Sequence, residues 1–268
     1  MSNKNKRIVA IIQARIGSTR LSGKILMDIC GYPVIWHIWN RLKNISEIDE
    51  IVVATSREQA NDILERFCVS ENISYFRGSE NEVLDRFYQA AKCYHADIII
   101  RITGDCPLID PQSISIAIQR FLKSETGLDY VGLATGAGVF GKKVNKFPDG
   151  TDAEVIAFEA LERAWSEATD SLDRGEAVTS YIWRNKDIFK CEMIYCERDL
   201  GHLRWTLDRP EDLEFVRKVY KRLYNSDKCF SMFDVLKLLE DEPALAEINK
   251  NWIGKENYEK YYNKNKEN

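Results

Sequence analysis

Twelve residues near the amino terminus, Gln13-Ala-Arg-Ile-Gly-Ser-Thr-Arg-Leu-Ser-Gly-Lys24, hold three cations and no carboxylate. The small residues Ala14, Gly17, Ser18 and Thr19 let backbone N–H groups come close to a polyphosphate, and Arg15, Arg20 and Lys24 supply charge around it. Two other phosphate loops are excluded by spacing. A Walker A loop needs four residues between its glycines and a Ser/Thr after the Lys; here five separate Gly17 from Gly23, and Ile25 follows Lys24. A literal GxGxxG occurs at Gly136, Gly138 and Gly141, but it should open a helix, and Pro148 stands where that helix would run. A merely solvated basic loop is disfavoured because no neighbouring acid balances it.

Two carboxylates converge on the same chemistry. In Arg101-Ile-Thr-Gly-Asp-Cys-Pro-Leu108, Asp105 follows an apolar strand directly, where a carboxylate is placed to hold a Mg²⁺ that bridges phosphate oxygens. In Leu203-Arg-Trp-Thr-Leu-Asp208-Arg-Pro, Asp208 sits between a strand and a helix beginning near Pro210. It reads first as a helix N-cap and second as a metal ligand, and its two oxygens allow both. Phe147-Pro148-Asp149-Gly150 has the chemistry of a turn, with Asp152 and Glu154 sharing a face of the next strand; a substrate pocket is the alternative for this cluster. His202 is a candidate substrate contact and His37 a helix-surface residue. No Ser/His/Asp or Cys/His order suggests covalent catalysis, and Cys106 beside Asp105 is assigned no nucleophilic role.

The elements that must hold these residues alternate short apolar runs with helical periodicity, as in an α/β protein with a largely parallel sheet. Strands are expected at Ile8–Gln13, Ile51–Thr55, Ile73–Phe76, Ile98–Ile102, Tyr130–Leu133, Glu154–Ala157, Lys190–Tyr195 and Arg204–Leu207. The runs IVAII, IVVA and DIIIRI suit central strands covered on both faces. Helices are expected after Pro33 and over 57–70, 80–95, 111–123, 159–169, 174–185, 210–224 and 230–240, with Pro111 and Pro210 as first-turn residues. Residues 134–152 break the rhythm as a long Gly-rich excursion, and the tail after Trp252 is polar, apart from a Tyr258, Tyr261, Tyr262 group that could dock on a partner.

Composition bounds the rest. The 268 residues carry a formal charge of −4, with 44% hydrophobic and 30% charged side chains, which is ordinary globular usage. The balance is uneven: residues 1–27 hold six basic groups and no acid, so an anionic ligand is expected near that end. A nucleic-acid partner is disfavoured, since its footprint is a strongly basic domain. No run is long and apolar enough to cross a bilayer, and the amino terminus lacks a signal-peptide pattern. Seven cysteines without a CxxC pair read as reduced thiols of a cytoplasmic protein.

QARIGSTRLSGKIL, RITGDCPLID and TLDRPEDLE together resemble the cytidylyltransferases that activate acidic sugars, a group that includes 3-deoxy-manno-octulosonate and acylneuraminate cytidylyltransferases. FRGSENEVLDRFYQAA, FPDGTDAEV and HLRWTLDRPEDLEFV are similar to the spore-coat polysaccharide branch, and the similarity runs from about Ile8 past Leu238. The resemblance implies a Rossmann-like, three-layer nucleotidyltransferase fold with a dimerisation excursion, acting on CTP with Mg²⁺ as a homodimer. On that basis Gln13, Ala14, Arg15, Gly17, Ser18, Thr19, Arg20 and Lys24 cradle the triphosphate, and Arg77, Gly78 and Ser79 meet the base. Arg15, Lys24, Asp105 and Asp208 form the catalytic set, the two aspartates as metal ligands. Asp149, Asp152, Glu154, Glu176 and His202 fall in the acceptor region. One domain over 1–240, with the substrate and dimerisation region at 134–190, is followed by an extension over 241–268.

Two departures stand out. Ser22 replaces a Pro usual in the family, which loosens the loop but keeps Lys24. The segment Gly175-Glu-Ala-Val-Thr179 has Ala177 where the branch commonly carries His, so the acceptor's identity does not carry over. The expected reaction is transfer of CMP from CTP to an acidic sugar, releasing pyrophosphate, for surface polysaccharide biosynthesis. A nucleotide-sugar glycosyltransferase of related fold and a non-catalytic nucleotide-binding scaffold are the rivals. The first is disfavoured because Asp105-Cys106-Pro107 lacks a second acid, and the second because the four catalytic positions are retained.

Overall fold

The computed structural model of the protein describes residues 6–18, 20–136 and 144–255. Thr19, Gly138, Gly141 and the Tyr258, Tyr261, Tyr262 group lie outside the described residues. The strands are β1 Ile8–Gln13, β2 Asp28–Ile29, β3 Tyr32–Pro33, β4 Glu50–Ser56, β5 Ser74–Gly78, β6 Ile98–Thr103, β7 Tyr130–Leu133, β8 Ala153–Ala157 and β9 Cys191–Ile194. The helices are α1 Val34–Leu42, α2 Asp62–Ser70, α3 Val83–Cys93, α4 Pro111–Leu122, α5 Phe158–Glu167, α6 Ser171–Arg174, α7 Ser180–Arg184, α8 Pro210–Leu223 and α9 Met232–Asp241.

A seven-stranded sheet in the order β5-β4-β1-β6-β8-β7-β9 forms the middle layer. β8 runs against both its neighbours, and the other six strands share one direction. Alternation along β1 explains the layers: Ile8, Ala10 and Ile12 join a core with α1, α2, α4, α8 and α9, while Val9 and Ile11 face α3, α5 and α7. β1 lies between β4 and β6, and the chain reaches β6 only after β4 and β5. The order therefore reverses between β1 and β6, and their carboxyl ends, where Gln13 pairs with Thr103, open the crevice in which such sheets bind ligands.

Three expectations are corrected. Arg204–Leu207 is extended but outside the sheet. It spans two loops instead: the Trp205 N–H donates to the Asp149 carbonyl at 2.6 Å and the Leu207 N–H to that of Asp105 at 2.7 Å. The helix expected over 174–185 is two short ones, because Gly175 ends α6 and buried Val178 adopts φ 48°. A left-handed β-branched residue costs about 1–3 kcal/mol and is tolerated where surrounding contacts enforce it. His37 is buried, not on the surface: its Nε2 lies 2.7 Å from the Ile29 carbonyl and its ring packs on Tyr220. Burial holds its pKa below the usual imidazole value.

Among the described residues no helix is long and apolar enough to cross a membrane. The described residues beyond α9 stay on the domain, with Leu245 and Asn249 buried.

Candidate active site

The basic loop begins where β1 stops. Buried Asn61 sets its path by accepting from the Ile16 N–H at 2.8 Å while donating to the Ser56 hydroxyl at 2.7 Å. The Gly23 N–H returns to the Ile16 carbonyl at 3.1 Å, closing the turn, and a single 3₁₀ turn over Lys24–Leu26 follows. That turn directs Lys24 inward, 7% exposed. Its ammonium donates to Asp208 Oδ1 at 2.6 Å and to Asp105 Oδ2 at 3.1 Å. Arg20 Nη2 reaches the other Asp208 oxygen at 2.7 Å. Residues distant in sequence thus meet as one charged cluster, two cations on two carboxylates.

Each aspartate is fixed by its backbone. Gly104, between β6 and Asp105, donates to the Gln13 carbonyl at 2.8 Å; a Cβ there would sit 2.8 Å from the same oxygen, so only glycine lets the two strand ends close up. Asp208 is not the N-cap of α8. Arg209 occupies that position, and the carboxylate of Asp212, not Asp208, receives the first amides, from Asp208 at 3.0 Å and Arg209 at 2.9 Å. That leaves both Asp208 oxygens to the cations. Burial by itself would raise the Asp105 carboxyl, but the Lys24 ammonium and the hydrogen bonds from Thr103 and Lys24 outweigh it and hold it down to about 2. Burial works against the Lys24 charge too, yet the pair of aspartates keeps its pKa above the ordinary lysine value.

Across the crevice lies a second cluster. Arg101 on β6 is in register with Glu154 on β8 and pairs with it. Glu154 also accepts from the hydroxyls of Tyr130 and Thr179, each at 2.7 Å. Arg101 Nη2 donates to the Glu176 carbonyl at 2.9 Å and to Gln13 Oε1 at 3.3 Å. The Glu176 carboxylate pairs with Arg15, which also holds Glu80 at 2.7 Å. Nearby Asp152 accepts from the Thr135 hydroxyl at 2.5 Å and the Gly150 N–H at 3.0 Å. Burial raises its pKa despite those bonds, and repulsion from Asp105 and Glu154 adds to the shift. The expected turn is present at Pro148–Thr151, and Gly150 takes φ 96° at a point where a Cβ would fall 2.2 Å from the Thr206 nitrogen. Asp149 is turned to buried Arg204, at 3.3 Å.

Not every expected residue converges. Arg77 spends its donors within the fold, on Asp62, Glu65 and the Ser56 carbonyl, and so ties β5 to β4 and α2. The Ser79 hydroxyl accepts from the Glu82 N–H at the start of α3. His202 is exposed on the turn at Leu200–Leu203. Conversely, the sequence reading missed Glu80, Arg101 and Thr179. A lone Arg inside the apolar run IIIRI was a usable signal; the pairing of Glu80 with Arg15 had none. It also missed Arg86, which is 1% exposed, donates to the Ser79 carbonyl at 2.6 Å and has no ion pair among the described residues. Burial lowers its pKa to about 10.

The family follows from comparison with known proteins. Residues 9–247 match the cytidylyltransferase family. The chain is a cytidylyltransferase. It is 30% identical to the spore coat polysaccharide biosynthesis protein SpsF of Bacillus subtilis over 89% of this chain and 96% of that one. It is 37% identical to the 3-deoxy-manno-octulosonate cytidylyltransferase of Trichlorobacter lovleyi, over 43% of this chain and 45% of that one. A solved cytidylyltransferase from Leptospira borgpetersenii superposes with a TM-score of 0.81 at 29% identity, covering 90% of this chain and 97% of the other. The cytidylyltransferase is therefore a CTP-dependent nucleotidyltransferase, and its mostly parallel sheet with flanking helices is that of its relatives.

The donor set fits a divalent ion. Among the described residues no three His, Cys, Asp or Glu side chains are grouped to hold one alone. Magnesium, however, takes only one or two carboxylates from protein when phosphate oxygens and water supply the rest. The Lys24 ammonium already rests against Asp105 and Asp208 together, as a cation between them would.

Proposed function

We propose that this cytidylyltransferase transfers CMP from CTP to a hydroxyl of an acidic sugar, of the nonulosonic or 3-deoxy-octulosonic type, and releases pyrophosphate. The product would serve surface polysaccharide biosynthesis, in the cytoplasm, and the working enzyme would be a homodimer. The acidic-sugar reading leans on the likeness to the 3-deoxy-manno-octulosonate cytidylyltransferase of Trichlorobacter lovleyi, and the polysaccharide reading on the likeness to SpsF of Bacillus subtilis. The observation that carries the site is the cluster itself, with Lys24 against both Asp105 and Asp208 and Arg20 on the second.

In this reading Asp105 and Asp208 would hold Mg²⁺, which would supply charge neutralisation at the phosphate oxygens. Lys24 and Arg20 exchange carboxylate oxygens for those of the triphosphate, and Arg15 does the same from the other side of the loop. The acceptor oxygen forms one bond to the α-phosphorus as the bond to pyrophosphate breaks, so the residues work by orientation and by balancing the leaving charge. Glu176, held through its carbonyl by Arg101, together with Asp152 and Glu154, borders the acceptor space.

The test is pyrophosphate release with each of the four NTPs over a panel of nonulosonic and 3-deoxy-octulosonic acids, with Asp105→Asn as control. Release with CTP and one acid, lost in the variant, is the expected outcome. Undiminished turnover in the variant overturns the metal assignment, and release only with neutral sugars overturns the acidic acceptor.

A further inference from the structure

We propose that the buried cluster of Arg204, Asp212 and Asn249 is a positioning device that sets Asp208 beneath the phosphate loop and ties it to the Asp149 turn on the acceptor side. The inference rests on the reading of Asp208 as a metal ligand.

Its geometry is more elaborate than a helix start requires. The Asp212 carboxylate accepts five hydrogen bonds: from Arg204 Nε and Nη2 at 2.9 Å each, from Asn249 Nδ2 at 2.9 Å, and from the amides of Asp208 at 3.0 Å and Arg209 at 2.9 Å. A carboxylate offers about four lone-pair sites, so this one is saturated and has no freedom to turn. Neither side chain of the Arg204–Asp212 pair is exposed at all. A capping box needs Asp212 only on the amide of the N-cap, Arg209; here the same carboxylate also takes the Asp208 amide, the Arg204 guanidinium and Asn249. A fully buried ion pair adds little stability over an apolar pair of equal volume, so what it delivers here is placement.

The placement runs in two directions. The Asp208 peptide is held by Asp212, and its carboxylate lies 4.0 Å from Arg204 Nη2, which limits where it can swing. The same guanidinium reaches Asp149 at 3.3 Å. Asn249 closes the arrangement from beyond α9, also donating to the Arg204 carbonyl at 2.9 Å. Asn249, beyond α9, thus bears on the site through Arg204 and Asp212.

Asp212→Asn and Asn249→Ala test the idea. Binding of Mn²⁺ to the CTP complex is followed by electron paramagnetic resonance, with kcat and KM for CTP, metal-free CTP affinity and thermal melting measured alongside. We expect Mn²⁺ half-saturation to rise about 10-fold or more in Asp212→Asn, the scale on which residues behind metal ligands act, and less, roughly threefold, in Asn249→Ala, which removes only one of the five bonds to Asp212. kcat should fall in step, while KM and metal-free CTP affinity stay within about twofold of wild type. Should Asp212→Asn fail to fold, Asn249→Ala decides. Variants that melt earlier but keep wild-type Mn²⁺ affinity and kcat reduce the cluster to a structural part and overturn the proposal alone. A wild-type CTP complex that takes up no Mn²⁺ overturns the metal reading of Asp208, and this inference with it.

Discussion

Two clusters of cations and carboxylates stand on the carboxyl edge of one sheet, and they are built to opposite ends. Around Lys24, two aspartates share one ammonium and Asp208 takes a further arginine; Lys24 and Asp208 are themselves buried, at 9% and 1% exposure, but the rim above them is open, with the Arg20 side chain 40% exposed and that of Asp105 27%. Around Glu154, one carboxylate receives Arg101, a tyrosine and a threonine hydroxyl, and both ionic partners are closed off, at 13% and 14% exposure. The first cluster can trade a protein cation for a divalent ion or phosphate without leaving a group unpaired. The second cannot lose a member without stranding a charge in low dielectric. On the proposed function the first would be an exchangeable site and the second the wall that holds the crevice in shape.

Substitutions on either side should therefore fail in different ways. Asp208→Asn keeps Lys24 on Asp105, so the fold should survive while pyrophosphate release drops about 10³-fold, some 4 kcal/mol of barrier. Steady-state assays beside a thermal melt check it; a collapse of stability with turnover intact would erase the contrast. Glu154→Gln should do the reverse. Arg101 is left half-paired, and unfolding in urea should show a loss of about 3 kcal/mol, with turnover per folded molecule reduced less than about tenfold. A neutral effect on stability would mean that the wall is as exchangeable as the site.

What could be read beforehand divides along the same line. The exchangeable cluster was legible because each of its parts is a contiguous motif at a strand end: the loop to Lys24, GDCP around Asp105 and TLDRP around Asp208. Strands β1 and β4 were legible for the same reason, an apolar run with a turn after it, and so was β6 apart from Arg101. The wall is made across strands, and pairings such as Arg101 with Glu154 depend on β8 being antiparallel, which no local pattern encodes. A helix start invites reading Asp208 as a cap, but the N-cap is Arg209 and the carboxylate of the capping box is Asp212, four residues on; only the fold brings Arg204 to it. The break between α6 and α7 was hidden by helix-forming residues on both sides of Gly175, and a left-handed Val178 runs against propensity altogether.

The smallest expected effect compares two carboxyls near the meeting of the clusters, Asp105 on the open side and Asp152 toward the wall. The fold lowers the first to about 2 and raises the second. A depressed carboxyl contributes stability that is complete above its unfolded value, near 3.9, and is lost as pH falls toward 2. A raised carboxyl contributes below that unfolded value and loses its contribution as pH rises through its folded value. Asp105→Asn should therefore cost on the order of 2 kcal/mol at pH 7 and progressively less as pH falls from about 4. Asp152→Asn removes a carboxyl that burial and the neighbouring carboxylates disfavour in its charged form, so it should gain stability at pH 7, a gain that fades as pH falls through the raised folded value and is gone below the unfolded value near 3.9. Urea midpoints between pH 3 and 7 read both differences. Opposite signs at pH 7 that converge in acid sustain the division between the clusters; the same sign for both variants would mean that the carboxyls sit in one electrostatic environment.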